Sequence, residues 1–241
     1  MNWFEKIRKP IIGLAPMHQV TNSASRLKCR EAGADVVYSE MIASEAIIRD
    51  IPQAKEMADF EEGERPIVIQ IFGNDPNAMA QAAKKLEDEL SPDGIDINFG
   101  CPVQKAAKQG FGACQLFEPE KAAEIVKAVK KVLKKTPLSA KVRLATKDID
   151  DTIEFIKVIK KAGIDLISIH GRTATQKYRG QADWNAMHEI KGQFPNLIIL
   201  GNGDIKSVDD IENNLGNLDG VLVGRAAKLN PNIFNDLSKI K

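Results

Sequence analysis

The chain lacks the features that mark several large classes of protein. It has only three cysteines, Cys29, Cys101 and Cys114, and an odd number at wide spacing argues against a disulfide framework or a structural zinc site. No apolar run approaches the length of a transmembrane helix. The charged segment from Met1 to Pro10 lacks the apolar core of a signal peptide. We therefore expect a cytoplasmic protein without a metal centre.

The sequence also has no excess of charge of one sign. Lys and Arg number 34 against 33 Asp and Glu, a formal net charge of +1, so the composition carries no electrostatic signature of a nucleic-acid binder. Hydrophobic residues nonetheless make up 43% of the chain, which is enough to bury a sizeable core. A length of 241 residues is normal for a single α/β barrel. We predict one domain over residues 1–241.

Short β-branched runs alternate along the chain with helical stretches rich in Lys, Glu and Ala. The predicted strands are 11–15, 35–38, 67–71, 95–99, 138–142, 166–170, 197–200 and 220–223. The predicted helices are 23–32, 43–57, 76–90, 119–134, 149–162, 184–192 and 207–214, with a final helical piece after Arg225. Eight strand–helix units in one unbroken chain predict a (β/α)8 TIM barrel. A doubly wound open sheet is the alternative, but no Gly-x-Gly-x-x-Gly turn follows the first strand.

In such a barrel, residues at the carboxyl ends of the strands converge on one face. Nearly every uncommon polar residue of the predicted strands lies at that end. The residues at or just after the strand ends, polar and apolar together, are Pro16, Met17, Glu40, Met41, Gln70, Asn98, Cys101, Lys141, Arg143, His170, Arg172, Asn202, Gly203, Asp204, Gly224 and Arg225. Lys141 is the most telling of them, since lysine is almost never buried without a partner. His18, in the first loop, could line the same site, although a solvated loop histidine is the commoner case.

The last two loops predict a phosphate site. Residues 201–204 and 224–225 are glycine-containing loops that each precede a short helical stretch. Such loops after the seventh and eighth strands form the standard phosphate pocket of this barrel, and Arg225 would add a charge-assisted contact. Three further polar side chains share this mouth: Gln70, Lys141 and His170. Together they suit a flat cofactor held by a phosphate tail, a description that FMN meets.

A series of short motifs follows the predicted strands in order. They are Ala15-Pro16-Met17 with Val20-Thr21, Asn98-Phe99-Gly100-Cys101-Pro102-Val103, Gly110-Phe111-Gly112-Ala113, Lys141-Val142-Arg143, Ile169-His170-Gly171-Arg172-Thr173, Gln176, Tyr178, Gly180, Ala182-Asp183-Trp184, Gly201-Asn202-Gly203-Asp204-Ile205 and Gly224-Arg225-Ala226-Ala227. In this order they resemble the catalytic barrel of the tRNA-dihydrouridine synthase family, from about residue 11 to about residue 234. The resemblance implies an FMN enzyme that uses NADPH to reduce the C5=C6 bond of particular uridines in tRNA.

The resemblance also implies roles for individual residues. Cys101 would donate a proton to uracil C5, and Asn98 would contact the uracil edge, with Arg143 and Arg172 as further substrate-binding residues. The residues implied to hold FMN are Pro16, Met17, His18, Gln70, Lys141, His170, Asn202, Gly203, Asp204, Gly224 and Arg225. The chemistry is consistent with these roles, because reduction at C6 leaves negative charge that an acid must neutralise at C5, and a thiol can be that acid.

The chain departs from the family pattern in two places. Family members usually carry Ala-Gly after Ala-Pro-Met, whereas this chain has His18 and Gln19. They also usually continue into a C-terminal helical domain that binds tRNA, and this chain ends at Lys241. We therefore expect a barrel lacking that domain to bind tRNA weakly, with a separate RNA-binding partner as one way to supply the contact.

Two other functions stay open from the residues. One is an FMN-dependent reductase of a free pyrimidine or small enone, which would need no RNA-binding domain. The other is a non-redox barrel of the aldolase or lyase type, in which Lys141 performs Schiff-base chemistry beside a phosphate site. A yellow colour of the purified protein separates the flavin enzymes from the non-redox barrel. The dihydrouridine content of tRNA separates the two flavin enzymes from each other.

Overall fold

The β-branched runs form eight parallel strands in the computed structural model, which describes residues 3–240. The strands are β1 (Ile11–Leu14), β2 (Val36–Ala43), β3 (Ile67–Phe72), β4 (Gly94–Phe99), β5 (Leu138–Leu144), β6 (Leu166–Thr173), β7 (Ile198–Asn202) and β8 (Gly220–Val223). They pair in chain order, and β8 pairs with β1 to close the barrel. The predicted (β/α)8 barrel is confirmed and the open sheet is wrong. Residues 1–2 and 241 of the predicted domain lie outside the described residues.

Helices connect the strands around the outside of the barrel. They are α1 (Ser23–Glu31), α2 (Ser44–Ile48), α3 (Pro52–Ala58), α4 (Pro76–Leu90), α5 (Gln104–Lys108), α6 (Pro119–Val132), α7 (Ile149–Ala162), α8 (Trp184–Gln193), α9 (Val208–Asn214), α10 (Arg225–Leu229) and α11 (Ile233–Leu237). Asn22, Asp75 and Asp183 each accept a hydrogen bond from a first-turn backbone N–H and so fix where α1, α4 and α8 begin. Between residues 3 and 240, no helix combines the length and the apolar character needed to span a bilayer.

The prediction of one helix over residues 43–57 is wrong, because α2 ends at Ile48 and α3 begins at Pro52. Between them Asp50 has φ of 55° and Ile51 is extended, with ψ of 125°. A proline has no backbone N–H and disfavours the helical conformation in the residue before it. Pro52 can therefore begin a helix but cannot continue one, and this signal was present in the sequence. The short helix α5 was not predicted.

Apolar side chains fill the amino-terminal half of the barrel interior. A buried cluster joins strand residues that include Ile11, Val36 and Leu200 to Phe4 from the short 3-10 turn Trp3–Glu5. Phe4 is 1% exposed and lies close to the start of β4 at Gly94, so it covers this end of the barrel. Polar side chains are thereby concentrated toward the carboxyl ends of the strands.

Closure of the barrel depends on Gly220, which pairs with Ile11. A Cβ at this position would lie 2.6 Å from Ile11 N and 2.8 Å from Ile11 C, and closer still to Ile11 O. We expect Gly220→Ala to lower the free energy of unfolding by about 3 kcal/mol, since the clash is with backbone that cannot move without opening the β8–β1 pairing.

The matched control is Gly192→Ala, on the exposed face of α8, where no heavy atom lies within 4 Å of the added methyl. The free energy of unfolding of this variant should rise by about 0.5–1 kcal/mol, because alanine has a higher helix propensity than glycine. Urea denaturation of both variants and the wild type measures the difference. A Gly220→Ala protein as stable as the wild type would contradict the role given to the glycine.

Candidate active site

The carboxyl ends of the strands open into a cavity of about 2150 Å³. Small-molecule sites usually measure about 300–1,000 Å³, so there is room here for a large cofactor and a second flat reactant. Every site residue predicted from the sequence lines this cavity: Pro16, Met17, His18, Gln70, Asn98, Cys101, Lys141, Arg143, His170, Arg172, Asn202, Gly203, Asp204, Gly224 and Arg225. The barrel thus brings the predicted residues together, and the role of each stays a prediction.

A buried lysine with a lowered pKa lies on one wall of the cavity. Lys141 on β5 donates from Nζ to Asn202 Oδ1 at 2.9 Å, and Asn202 Nδ2 donates to Leu222 O at 2.7 Å. Burial, with the nearby positive charge of Arg143, lowers the pKa of Lys141 to about 7, although Asp96 opposes the shift. Lys141 is therefore divided between its charged and neutral forms near neutral pH, and a ligand that brings negative charge would favour the charged form.

His170, at the end of β6, adds a neutral hydrogen-bonding group. The residue is 8% exposed, and its Nε2 lies 3.4 Å from Nη1 of Arg172. Burial, together with the positive charges of Lys141, Arg143, Arg172 and Arg225, lowers the pKa of His170 to about 2. The imidazole is consequently neutral, and the adjacent guanidinium favours the tautomer with its lone pair on Nε2 and its proton on Nδ1.

The loop after β7 makes a tight turn with two residues at positive φ. Gly203 has φ of 130°, and a Cβ there would lie 2.6 Å from the Cβ of Ala182, so only glycine fits. Asp204 follows with φ of 59°, and its carboxylate accepts from Arg172 Nη2 at 2.7 and 2.9 Å and from Arg225 Nη2 at 3.0 Å. Burial would raise the pKa of Asp204, but the hydrogen bonds from Ala182 N and Arg172 outweigh it and hold this pKa below its usual value. One carboxylate thus faces two arginines, so the net charge around this loop is positive.

The start of α10 is open toward the cavity. The nearest atoms to a Cβ built on Gly224 are Met17 Sδ at 3.6 Å and Ala15 Cβ at 3.8 Å. Arg225 is 58% exposed, and its guanidinium carbon lies 5.5 Å from the ring centre of Tyr178. Tyr178 is 62% exposed. The sequence marked this aromatic only as part of a motif, and its position at the mouth beside two arginines was not predicted.

Cys101 lies half-buried at the mouth, in a loop that is held from two sides. Asn98 Oδ1 accepts from Cys101 N at 2.9 Å, and Cys101 O accepts from Ala113 N at 3.0 Å. A Cβ on Gly112 would lie 2.7 Å from Cys101 O, so this close approach requires glycine. Cys114 is bonded differently: its Sγ lies 3.3 Å from Phe111 O, and burial raises its pKa. Among the described residues that line the cavity, Cys101 is present and Cys114 is not.

The two arginines predicted to bind substrate use most of their donors within the protein. Arg143 is 3% exposed and donates from Nε to Gly100 O at 2.9 Å and from Nη1 to Lys177 O at 2.9 Å. Arg172 is 2% exposed, and its Nη2 donates to Gly180 O at 2.6 Å as well as to Asp204. Arg172 therefore anchors the loop after β6, and its predicted substrate contact stays a prediction. Its bond to the backbone carbonyl of Gly180 is one that no sequence pattern identifies.

The first loop keeps a left-handed turn although it has no glycine. Gln19 has φ of 58°, and its backbone N donates to the carboxylate of Glu40 on β2. His18 is 56% exposed at the rim, with Nδ1 3.4 Å from Glu40 Oε2. Glu40 therefore holds the loop in a conformation that glycine would adopt at lower cost. Its position at a strand end was noted in the sequence, but its role was not.

Comparison with known proteins identifies relatives along almost the whole chain. The family described as dihydrouridine synthase matches residues 13–241. A probable tRNA-dihydrouridine synthase of Aquifex aeolicus is 42% identical over 237 residues, which cover 96% of this chain and 74% of the relative. One from Mycobacterium tuberculosis is 33% identical over 245 residues, covering 97% of this chain and 63% of that protein. The chain thus spans less than two thirds of the second relative's length and about three quarters of the first.

Solved structures with the same fold include QR15, an aldolase. It superposes with a TM-score of 0.62 at 13% sequence identity, over 97% of this chain and 95% of that one. At so low an identity the likeness shows the barrel fold alone.

The strain at Gln19 gives a test of the first loop. We expect Gln19→Gly to raise the free energy of unfolding of the cofactor-free protein by about 0.5–1 kcal/mol, because relief of the left-handed strain exceeds the entropy cost of glycine. The control is Gln53→Gly, the same substitution at an exposed position of α3. Its free energy of unfolding should fall by about 0.5–1 kcal/mol. Thermal and urea unfolding measure both, and destabilisation by Gln19→Gly would contradict the strained turn.

Proposed function

We propose that this chain, which belongs to the dihydrouridine synthase family, reduces uridine to 5,6-dihydrouridine in tRNA, with FMN as cofactor and NADPH as reductant. The observation that carries the proposal is the thiol of Cys101, held at the mouth of a cavity that Lys141 and His170 also line. Relatives named as tRNA-dihydrouridine synthases support tRNA as the substrate, and tRNA as substrate supports the predicted cytoplasmic location.

The residues of the cavity fit FMN. Gly203 and Gly224 line the cavity with backbone alone, and Arg225 reaches the same region with a guanidinium that is more than half exposed. These would hold the phosphate, since backbone N–H groups and arginine are the usual donors to phosphate oxygens. Lys141 and the Nδ1–H of His170 supply donors suited to the polar edge of a flat ring. Bound FMN would supply the two electrons that reduce the uracil C5=C6 bond, with NADPH as their source.

Two of the residues implied to hold FMN act on their neighbours. Gln70 is 1% exposed, and Asn202 uses its amide on Lys141 and on the backbone of β8. Each amide oxygen keeps one further lone pair for a ligand. We assign to Asn202 the orientation of the Lys141 ammonium group, which positions positive charge where negative charge develops.

Cys101 is the proposed proton donor. Its Sγ–H bond breaks as the proton moves to uracil C5, which leaves a thiolate that solvent reprotonates before the next turnover. Arg143, held against the carbonyl of Gly100, places positive charge beside this thiolate. Asn98 orients the loop through its oxygen, so a contact with the uracil edge would use the rest of its amide.

The purified protein should bind FMN without a covalent bond and be yellow. We expect Arg225→Ala to weaken FMN binding about tenfold, because one charge-assisted hydrogen bond at a partly exposed position is lost. Arg49→Ala, at an exposed position directly after α2, is the control and should bind like the wild type. Fluorescence titration at fixed ionic strength measures the three affinities. A wild-type protein that binds no FMN would contradict the flavin chemistry, and an unchanged Arg225→Ala would contradict the phosphate contact.

Replacing the thiol should separate the two half-reactions. We expect Cys101→Ala to reduce uracil about 100-fold more slowly or worse, the usual effect of removing a general acid, while NADPH reduces its bound flavin at the wild-type rate. Cys114→Ala is the matched control and should retain both rates. Stopped-flow absorbance resolves both rates. A loss of uracil reduction in Cys114→Ala but not in Cys101→Ala would show that Cys101 is not the proton donor.

A further inference from the structure

Beneath the mouth of the cavity lies a buried carboxylate that the proposed function does not use. Asp96 is two residues before Asn98 on β4, so both side chains point into the barrel and Asp96 lies one layer deeper. It is 0% exposed, and strand register places it beside Gln70 on β3 and Ser139 on β5. Burying a carboxylate costs free energy unless hydrogen bonds satisfy it, so its partners indicate its role.

A continuous series of hydrogen bonds runs from Asp96 to the cysteine loop. Ser139 Oγ donates to Asp96 Oδ1 at 2.6 Å, and Gln70 Nε2 donates to Asp96 Oδ2 at 2.7 Å. Asn98 Nδ2 then donates to Gln70 Oε1 at 2.8 Å. At the far end, Asn98 Oδ1 accepts from the backbone N of Cys101 at 2.9 Å. Two side-chain amides thus separate the carboxylate from the residue that carries the thiol.

The direction of every bond in this series is fixed from both ends. The backbone N–H of Cys101 can only donate, so Asn98 must present its oxygen to the loop and its NH2 group to Gln70. Gln70 must then present its oxygen to Asn98, which leaves its own NH2 group facing Asp96, an acceptor. Turning over the Gln70 amide would set two NH2 groups against each other and an oxygen against a carboxylate. Asp96 therefore fixes from its end the same arrangement of both amides that the backbone N–H of Cys101 fixes from the other.

The charge of Asp96 is consistent with this role. Burial raises the pKa of Asp96 to about 6, while the hydrogen bonds from Ser139 and Gln70 and the positive charge of Lys141 oppose the rise. The carboxyl group is mostly ionised at neutral pH, and its protonated form still offers one oxygen as an acceptor. Gln70 therefore has its acceptor throughout the neutral range.

We propose that Asp96 is a positioning residue for the proton donor: it orients Gln70 and, through Gln70, orients Asn98, whose oxygen holds the backbone of Cys101. This inference rests on the proposed function, because it takes Cys101 as the group that protonates the substrate. Asp96 itself is not among the described residues that line the cavity, so it acts through the two amides alone.

Two substitutions at Asp96 test whether its role depends on a hydrogen-bond acceptor at this position. Asp96→Asn keeps the series, since the new Oδ1 accepts from Gln70 while the new NH2 group donates to Ser139 Oγ. Asp96→Ala removes the acceptor. The matched control is Glu87→Ala, because Glu87 is also a buried carboxylate, 4% exposed, and accepts backbone N–H groups of residues 134–136 near the amino end of β5.

The first measurement is amide hydrogen exchange of Gly100 and Cys101 in the cofactor-free full chain. Asn98 Oδ1 accepts from Gly100 N at 3.0 Å as well as from Cys101 N. We expect Asp96→Ala to speed exchange at these two amides about tenfold relative to the other strand ends, because this shared acceptor is no longer held. Asp96→Asn and Glu87→Ala should leave this ratio at its wild-type value. An unchanged ratio in Asp96→Ala, or an equal rise in Glu87→Ala, would overturn the proposal.

The second measurement is single-turnover uracil reduction by the reduced holoenzyme. We expect Asp96→Ala to slow it about tenfold, less than the roughly 100-fold that a misplacement of about 1 Å can cost, and Asp96→Asn to stay within about twofold of the wild type. Flavin reduction by NADPH should be unchanged in Asp96→Asn, which keeps Gln70 in place. An Asp96→Asn protein as slow as Asp96→Ala would show that charge matters, not the acceptor, and would overturn the proposal.

A double variant distinguishes this proposal from the one it rests on. In a Cys101→Ala background, Asp96→Ala should cause no further slowing, because there is no thiol left to position. Additive losses would overturn the positioning role while leaving Cys101 as the donor. Full activity of Cys101→Ala alone would remove the donor assignment and the positioning role with it.

Discussion

The parallel backbone pairing of β4 to β7 is the constraint on which the site depends. It places Asn98 beside Lys141, Arg143 beside His170, and His170 beside Asn202. Because the strands are parallel and closed into a ring, these residues share one end of the barrel although they are far apart in sequence. The sheet therefore fixes the relative positions of these side chains, and the segments that follow the strands add the thiol, the glycine turns and the exposed Arg225.

The site concentrates positive charge in a chain that is almost neutral overall. Lys141, Arg143, Arg172 and Arg225 all lower the pKa of His170, and the carboxylate of Asp204 offsets two of them in part. Burial makes this excess costly for the protein alone, as the low pKa of Lys141 shows. An anionic ligand relieves that cost, which is why a phosphate-bearing cofactor and a reaction that develops negative charge suit this cavity.

The sequence was sufficient for the parts of the fold that follow from local composition. Short β-branched runs located all eight strands, and the strand ends located the residues that line the cavity. The break at Pro52 was missed although proline marked it. What could not be predicted are bonds between side chains on different strands, such as Gln70 to Asp96, and bonds to distant carbonyls, such as Arg172 to Gly180. Both depend on register and loop geometry, which a single sequence does not specify.

Reduction of uridine within tRNA is the activity that we propose for this barrel. The most direct test incubates unmodified tRNA with the purified protein, FMN and NADPH and maps dihydrouridine by mass spectrometry of nuclease fragments. We expect dihydrouridine at defined positions of the tRNA, in amounts that depend on both FMN and NADPH. A flavin-loaded protein that oxidises NADPH and reduces free uridine, yet forms no dihydrouridine in tRNA, would contradict this proposal.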